Sequence, residues 1–164
     1  MNLKKMRKMK YLSTMIELIK KYAERYLEVL KIGKVIPETI DSANFISYIW
    51  HEWGFEDWER DENVHRDDTI FKKLRNMGFE NILNDLNAVD WRCRKGDLEV
   101  ENDEGNYSFR YRGDYLYSVY RVSSADITFW SYLSNHNLYF EKLLLRVQIE
   151  YRKFLAEEKQ RRIA

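Results

Sequence analysis

The stretch that decides the fold is residues 91–122, WRCRKGDLEVENDEGNYSFRYRGDYLYSVYRV. Apolar and polar residues alternate through it with a period of two, which is typical of strands with one buried face. Glycine-containing pairs interrupt the alternation at three points: Lys95-Gly96, Glu104-Gly105 and Gly113-Asp114. Such pairs are typical two-residue hairpin loops. The sequence therefore predicts a four-stranded antiparallel meander over about 91–122.

The three loops also predict which residues lie opposite each other: Cys93 with Leu98, Val100 with Phe109, and Phe109 with Ser118. Apolar side chains, most of them large, then share one face: Trp91, Cys93, Leu98, Val100, Tyr107, Phe109, Tyr111, Leu116, Tyr120 and Val122. Charged residues and the other tyrosines take the opposite face: Arg92, Arg94, Asp97, Glu99, Glu101, Arg110, Arg112, Tyr115, Tyr117 and Arg121. A slip of one residue would mix the faces, so the pattern specifies this register.

Helical periodicity dominates on both sides of the meander. Apolar residues recur every three or four positions from about Tyr11 to Lys31, which predicts a long N-terminal helix. Shorter patterns predict helices over about 42–53, 67–77, 80–88 and 125–133. A second long helix is expected over about 137–161, packed on the apolar face of the sheet. The predicted fold class is α+β, with 1–164 as a single domain.

The net charge of +1 hides two opposite blocks. Residues 1–36 hold ten basic and three acidic residues, a charge of +7, and residues 37–68 hold two basic and ten acidic residues, a charge of −8. The first block contains a basic head over 1–10, and the second contains an acidic loop over 52–68. The head either frays into solvent or docks on the acidic loop, and the surface is charge-segregated if the two lie apart.

Composition excludes several classes of protein. Hydrophobic residues make up 45% of the chain, enough for a core, and no apolar run reaches the roughly 18 residues of a membrane span. A single cysteine, Cys93, cannot form an internal disulfide, which favours the cytoplasm. Cys93 falls on the predicted core face, where a thiol is usually packing. Frequent Lys, Asn, Ile and Tyr are typical of a prokaryotic or phage genome.

Motifs of catalysis and cofactor binding are missing from the sequence. It has no phosphate-binding loop, no dinucleotide fingerprint, no nucleophile elbow and no Cys-x-x-Cys pair. His51 and His65 lie in or beside the acidic loop, but neither has partners at a metal-ligand spacing. We therefore expect no cofactor, no metal and no enzymatic activity.

The polar face of the meander is the first candidate site. Its arginines and tyrosines are the candidate protein-binding residues: Arg92, Arg94, Arg110, Arg112, Tyr115, Tyr117 and Arg121. Arginine and tyrosine are enriched at interface hot spots. The main alternative is a solvated face, whose cross-strand ion pairs each add at most ~1 kcal/mol. Stacking of nucleic-acid bases is a third alternative, which the interleaved carboxylates disfavour.

The acidic loop is the second candidate. Its protein-binding residues would be the following: Trp53, Glu56, Asp57, Trp58 and Glu59. An acidic segment that carries tryptophan could engage a basic groove on a partner, perhaps one that normally holds nucleic acid. A plain solvated loop is the alternative.

The two basic ends are the third candidate. A nucleic-acid backbone could be contacted by the following residues: Lys4, Lys5, Arg7, Lys8, Lys10, Arg161 and Arg162. A separate apolar row on the C-terminal helix, Leu138, Leu145 and Ile149, is either buried or a self-association seam. Burial is the favoured alternative.

The leading hypothesis is a non-catalytic intracellular module that binds and modulates or inhibits a partner protein. An inhibitor of a host defence enzyme, carried by a phage or mobile element, is one concrete form. The runner-up is a nucleic-acid-binding protein that uses the basic head and the C-terminal tail. An enzyme with an unfamiliar site ranks third.

Overall fold

A computed structural model of the chain describes residues 3–55, 67–82 and 90–163, with backbone alone for 3–14, 55 and 67. In this described part the α+β class is confirmed, with long N- and C-terminal helices and one antiparallel sheet. The helices are α1 (Leu3–Gly33), α2 (Ser42–Phe55), α3 (Asp67–Asn76), α4 (Ser124–Asn135) and α5 (Asn137–Ile163), with a short 3-10 turn at Pro37–Thr39. The strands are β1 (Glu80–Asn81), β2 (Trp91–Lys95), β3 (Leu98–Asp103), β4 (Asn106–Tyr111) and β5 (Asp114–Val119).

Two boundaries differ from the sequence predictions. The helical backbone of α1 begins at Leu3, so it includes most of the basic head. The helix predicted over 80–88 is wrong at its start, because Glu80–Asn81 is a strand paired with β2, and 83–89 lie outside the described residues. None of the described helices is long and apolar enough to span a membrane.

The chain divides into two compact units, Met1–Asp41 with Glu141–Ala164, and Ser42–Phe140. We call them the helical unit and the sheet unit. The single domain and the packing of the C-terminal helix on the sheet stay predictions.

The helical unit buries one stripe of each long helix. On α1 the buried residues recur every three or four positions: Met15, Ile19, Tyr22, Ala23, Tyr26 and Leu30. On α5 the stripe is Leu143, Leu144, Val147 and Tyr151. The Tyr151 hydroxyl donates to the Val35 carbonyl at 2.5 Å, and Gln148 Nε2 donates to the Ile40 carbonyl at 2.8 Å. These two bonds hold the segment after α1 against α5.

The sheet unit is built on the predicted meander, in the order β1-β2-β3-β4-β5. Its inner face is buried along β2, β3 and β4: Cys93, Leu98, Val100, Tyr107, Phe109 and Tyr111. Three helices contact this face. α2 packs on β4 and β5, Phe71 of α3 meets Trp91 edge to face at 5.5 Å, and Trp130 of α4 lies 3.7 Å from Phe109 between ring centroids.

The predicted register is correct for the central pair and shifted on both sides of it. Val100 lies opposite Phe109 as expected. Cys93, however, lies opposite Val100 rather than Leu98, a shift of two residues that keeps the faces intact. Phe109 lies opposite Tyr117 rather than Ser118, and the ladder is irregular between Phe109 and Arg110.

The position of glycine within each loop explains the shift on the β2–β3 side, and together with the extra residue Leu116 in β5 it explains the shift on the β4–β5 side. Gly96, with φ of 57°, is the first residue of its loop, Gly96-Asp97, as a type II′ turn requires. Gly113 is instead the second residue of Arg112-Gly113, where both φ angles are positive, at 50° and 84°, as in a type I′ turn. The sequence analysis assigned each glycine to the other place in its loop.

Candidate protein-binding surface

The outer face of the sheet separates into two halves with different chemistry. On the half formed by β2 and β3, arginines and carboxylates face each other and form ion pairs: Arg92 with Glu101 at 3.1 Å, and Arg94 with Glu99 at 2.5 Å. A third pair, Arg112 with Asp97 at 3.1 Å, joins the two hairpin loops. These contacts match the alternative of a solvated, ion-paired face.

The half formed by β4 and β5 carries no carboxylate on its outer face in the described strands. Its outward residues are Ser108, Arg110, Tyr115, Ser118 and Tyr120, which we call the tyrosine strip. Tyr115 is 53% exposed and Tyr120 is 73% exposed. The Tyr115 hydroxyl donates to Ser118 Oγ at 2.9 Å, which steadies one ring on the surface. Arg121 follows the strip and is exposed.

Arg110 is the one charged member of the strip. It lies opposite Glu99 on one side and opposite Tyr115 on the other. The Glu99 carboxylate binds Arg94 instead. Within the described part of the chain, no carboxylate lies within ion-pairing distance of Arg110. The guanidinium therefore keeps its positive charge on the strip.

Tyr117 was predicted on the polar face, and this prediction is wrong. The bulge beside Leu116 places both Leu116 and Tyr117 inside, so Tyr117 is only 7% exposed. Its ring stacks on Trp50 at 3.9 Å and on Phe109 at 4.8 Å between centroids, and its hydroxyl accepts from Trp130 Nε1. Burial raises the pKa of the Tyr117 hydroxyl well above 10. This residue is core rather than contact surface.

Tyr120 was predicted on the core face, and this is wrong for the same reason. The extra residue of the bulge reverses the alternation after it, so Tyr120 points outward. Val122, beyond the end of β5, is buried as predicted. Tyr120, the most exposed aromatic residue among the described part of the sheet unit, was therefore not predicted, because nothing in the alternation itself marks a bulge.

The acidic loop is only partly described. Trp53, its first candidate, is buried and packs near Phe129 with 5.9 Å between ring centroids, so it belongs to the core of the sheet unit. The other candidates lie outside the described residues: Glu56, Asp57, Trp58 and Glu59. The role of the loop stays a prediction.

The two basic clusters lie at opposite ends of the helical unit. Residues 20–27 of α1 and 143–150 of α5 line one groove, and Lys31 lies 5.5 Å from the ring centroid of Phe154. The two helices therefore run in the same direction. At 1.5 Å per residue, Lys10 lies about 30 Å before Lys31 along α1, whereas the C-terminal arginines follow Phe154.

This separation bears on the runner-up hypothesis. The backbone of the head lies in α1: Lys4, Lys5, Arg7, Lys8 and Lys10. At the other end, Arg161 and Arg162 are exposed in the last turn of α5. The structure does not bring the two groups together, and nucleic-acid binding by either one stays a prediction.

The apolar row on α5 is exposed, so the favoured prediction of burial is wrong. Leu138, Leu145 and Ile149 each expose more than half of their surface. The main stripe of α5 buries the opposite side of the helix, and the row receives no cover from the described residues. Self-association through this row stays a prediction.

A partly buried carboxyl group at the start of α4, that of Asp126, had no place among the sequence predictions. Asp126 accepts from Trp50 Nε1 at 3.2 Å and from the Ser123 backbone N–H at 3.1 Å, while its own N–H donates to Ser123 Oγ at 3.2 Å. This reciprocal pair is a capping box. The spacing Ser123-x-x-Asp126 was a signal that could have located it. Burial raises the pKa of Asp126, against the lowering effect of its hydrogen bonds.

No cluster of metal-ligating side chains occurs in the described ranges. Cys93 is fully buried, as the sequence indicated, and burial raises the pKa of its thiol against the lowering effect of Arg75. The chain matches no family model, no curated protein and no solved structure, so the local geometry alone supports its functional interpretation.

Proposed function

We propose that the chain is a non-catalytic protein-binding module whose contact surface is the tyrosine strip. The observation that supports this is the exposure of Tyr115 on the outer face of β5 and of Tyr120 just beyond its end, beside an arginine that makes no ion pair in the described chain. Tyrosine supplies a large amphipathic contact area at a low entropy cost, and small serines between the rings adapt their hydrogen bonds.

The cost of dehydration favours the β4–β5 half of the outer face over the β2–β3 half as a binding surface. A partner that covers β2 and β3 must dehydrate two ion pairs, and the cost of dehydration can exceed what the pairs return. A partner that covers the strip dehydrates two rings, two hydroxyl-bearing serines and one guanidinium. The second surface therefore yields more binding free energy for the same area.

The charge of the strip indicates the kind of partner. Arg110 and Arg121 are positive, and no outward carboxylate lies between them in the described strands. We infer that the partner presents carboxylates or backbone carbonyls to these guanidinium groups, which bind such acceptors in a forked geometry. A nucleic acid is disfavoured, because the paired carboxylates of β3 are close to the strip.

We infer a reducing compartment, the cytoplasm, as the place of action. The single cysteine is buried and free. The inhibitory form of the hypothesis, directed at a host defence enzyme, rests on size and composition and is tested by the same experiment.

The test is affinity purification of the tagged full chain from its native host, with quantification of each captured protein. The variant Tyr115→Ser/Tyr120→Ser should lose the partner at least ~10-fold, because hot-spot aromatics each contribute about 2 kcal/mol or more. The matched control is Ile32→Ser/Ile163→Ser, which removes two similarly exposed apolar side chains from the helical unit.

The control should retain the partner at the wild-type level. Equal capture by the wild type, the tyrosine variant and the control would contradict the proposal, provided that the tyrosine variant unfolds at the wild-type temperature. Both tyrosines lie on the surface, so their replacement should leave folding intact.

A further inference from the structure

The side of α5 opposite its buried stripe has the spacing of a surface that pairs with another helix. Leu145 and Ile149 are each 55% exposed on this side, within the helical unit. Exposed residues recur there at intervals of three and four positions, the spacing by which one helix packs along another. We call these six exposed residues the α5 seam: Lys142, Leu145, Ile149, Arg152, Ala156 and Lys159.

The charge of the seam is entirely positive. Three of its six members are basic and separate the apolar ones, and Arg146 and Lys153 are also exposed along one flank. None of these five basic side chains forms an ion pair with another described residue. Glu141 flanks the seam at its start, whereas the other glutamates of α5 lie more than about 90° around the helix from it. The seam therefore combines exposed apolar side chains with uncompensated positive charge.

A second copy of the chain does not complement this seam. In a parallel pair of α5 helices, Lys142 and Arg152 would each meet their own counterpart. In an antiparallel pair centred between Leu145 and Ile149, Lys142 would meet Arg152. Both arrangements bring like charges together where water is excluded, and this repulsion opposes pairing.

A membrane surface complements the seam less well than a helix does. Helices that lie in a membrane interface bury a broad apolar face, which carries tryptophan, phenylalanine or leucine. Leu145 and Ile149 lie within an arc of only about 40°, and basic residues precede and follow them along the seam. A narrow apolar line interrupted by charge is typical of helix pairing instead.

We propose that the α5 seam binds an acidic amphipathic helix of a partner protein. The partner helix places apolar side chains against the apolar members of the seam and carboxylates against its three basic members. The apolar contacts supply affinity, and the charged positions fix the register, as a polar residue within a coiled-coil seam does. This interface is independent of the tyrosine strip, which belongs to the sheet unit.

The test is titration of the full chain with synthetic helical peptides of about five turns, measured by fluorescence anisotropy. The acidic peptide carries leucine opposite each apolar member of the seam and glutamate opposite each basic member. The matched basic peptide carries lysine in place of every glutamate. At low salt the acidic peptide should bind at least ~10-fold more tightly than the basic one, and salt at about 0.5 M should reduce this difference by screening.

A charge-reversed variant tests the assigned register. Lys142→Glu/Arg152→Glu replaces two basic members of the seam, so it should bind the basic peptide more tightly than the acidic one. Both positions are exposed, so the variant should unfold at the wild-type temperature. A variant that still prefers the acidic peptide to the same extent would overturn the proposal.

A second variant tests the apolar contacts. Leu145→Ser/Ile149→Ser should weaken binding of the acidic peptide at least ~10-fold, because it removes the large apolar side chains of the seam. The matched control is Val29→Ser/Ile32→Ser, which removes two exposed apolar side chains from α1 and should bind like the wild type.

Four results would overturn the proposal besides an unreversed preference. The first is equal affinity of the wild type for the two peptides at low salt, and the second is wild-type binding by Leu145→Ser/Ile149→Ser. The third is self-association of the chain that this variant abolishes, which would assign the seam to a second copy. The fourth is binding to phosphatidylserine vesicles that the variant abolishes, which would assign it to a membrane. The tyrosine strip takes no part in these measurements, so failure here leaves the proposed protein-binding function untouched.

Discussion

Tyr117 and Tyr120 show how the orientation of single residues decides which surface a partner can reach. Both are tyrosines of similar chemistry, three positions apart, yet one is stacked in the core and the other is largely exposed. The bulge beside Leu116 exchanges their places relative to a regular strand. A binding hypothesis that rests on residue type alone therefore selects the wrong tyrosine at this edge of the sheet.

Cys93 provides a residue-scale prediction. The thiol is buried, and burial raises its pKa, so both access and thiolate formation oppose attack on a thiol reagent. We expect reaction with a disulfide reagent at pH 8 to be at least ~100-fold slower in the native chain than in the chain unfolded by guanidinium, because it must wait for local opening. The measurement is the rate of release of the coloured thiolate. Comparable rates in the two states would show that β2 is not buried as described.

At the scale of elements, α4 depends on one partly buried carboxyl at its first turn. Asp126 closes the capping box with Ser123 and anchors the indole of Trp50 from α2. Burial raises its pKa above the ordinary value of 3.8. Between pH 3.8 and the raised pKa, the folded chain binds more protons than the unfolded chain. The free energy of unfolding should therefore fall as the pH rises through this range.

The pH prediction is tested with Asp126→Asn. The unfolding temperature of the wild type should fall as the pH rises from about 4 through the raised pKa of Asp126. In the variant, this part of the dependence of the unfolding temperature on pH should be absent. The variant should also be less stable by about 1 kcal/mol, because its amide has one oxygen and cannot accept from both the Trp50 and the Ser123 N–H groups. Asp114→Asn, at the start of β5, is the control for removal of one charge. A variant that keeps the full wild-type slope would contradict the assignment.

Much of the fold could be predicted from the sequence, and the errors have local physical causes. Alternation of period two located the meander, and periodicity of 3.6 located the two long helices, because burial of one face imposes both patterns. The place of Gly96 or Gly113 within its loop was not predictable from the same pattern. Either position of glycine satisfies a primed turn, and the choice shifts the register by two residues. On the β4–β5 side the bulge at Leu116 then reduces this shift to one residue.

The candidate surface was predicted less well than the fold. Arg110 and Tyr115 were assigned correctly to the outer side, since they precede the bulge, and Arg121 is exposed beyond the end of β5. Tyr117, which the sequence pattern placed on the polar face, is buried, and Tyr120, which it placed on the core face, is exposed.

At the scale of the whole molecule, the net charge of +1 is a sum over surfaces of different kinds. The arginines and carboxylates of β2 and β3 neutralise each other through contacts of 3.1 Å or less. In the described part of the chain the Arg110 guanidinium of the strip makes no ion pair, and the ends of the helical unit carry the basic clusters. Near-neutrality in the sequence is therefore compatible with a positive contact surface.

The central claim, that the tyrosine strip is the protein-binding surface, is tested most directly by hydrogen exchange of the chain alone and with its captured partner. Binding should slow amide exchange in residues 114–121 by at least ~10-fold, because β5 is an edge strand that the partner covers. Exchange around Leu145 and Ile149 should not change. Slowing confined to that exposed row or to the basic ends, with 114–121 exchanging as in the free chain, would contradict the account.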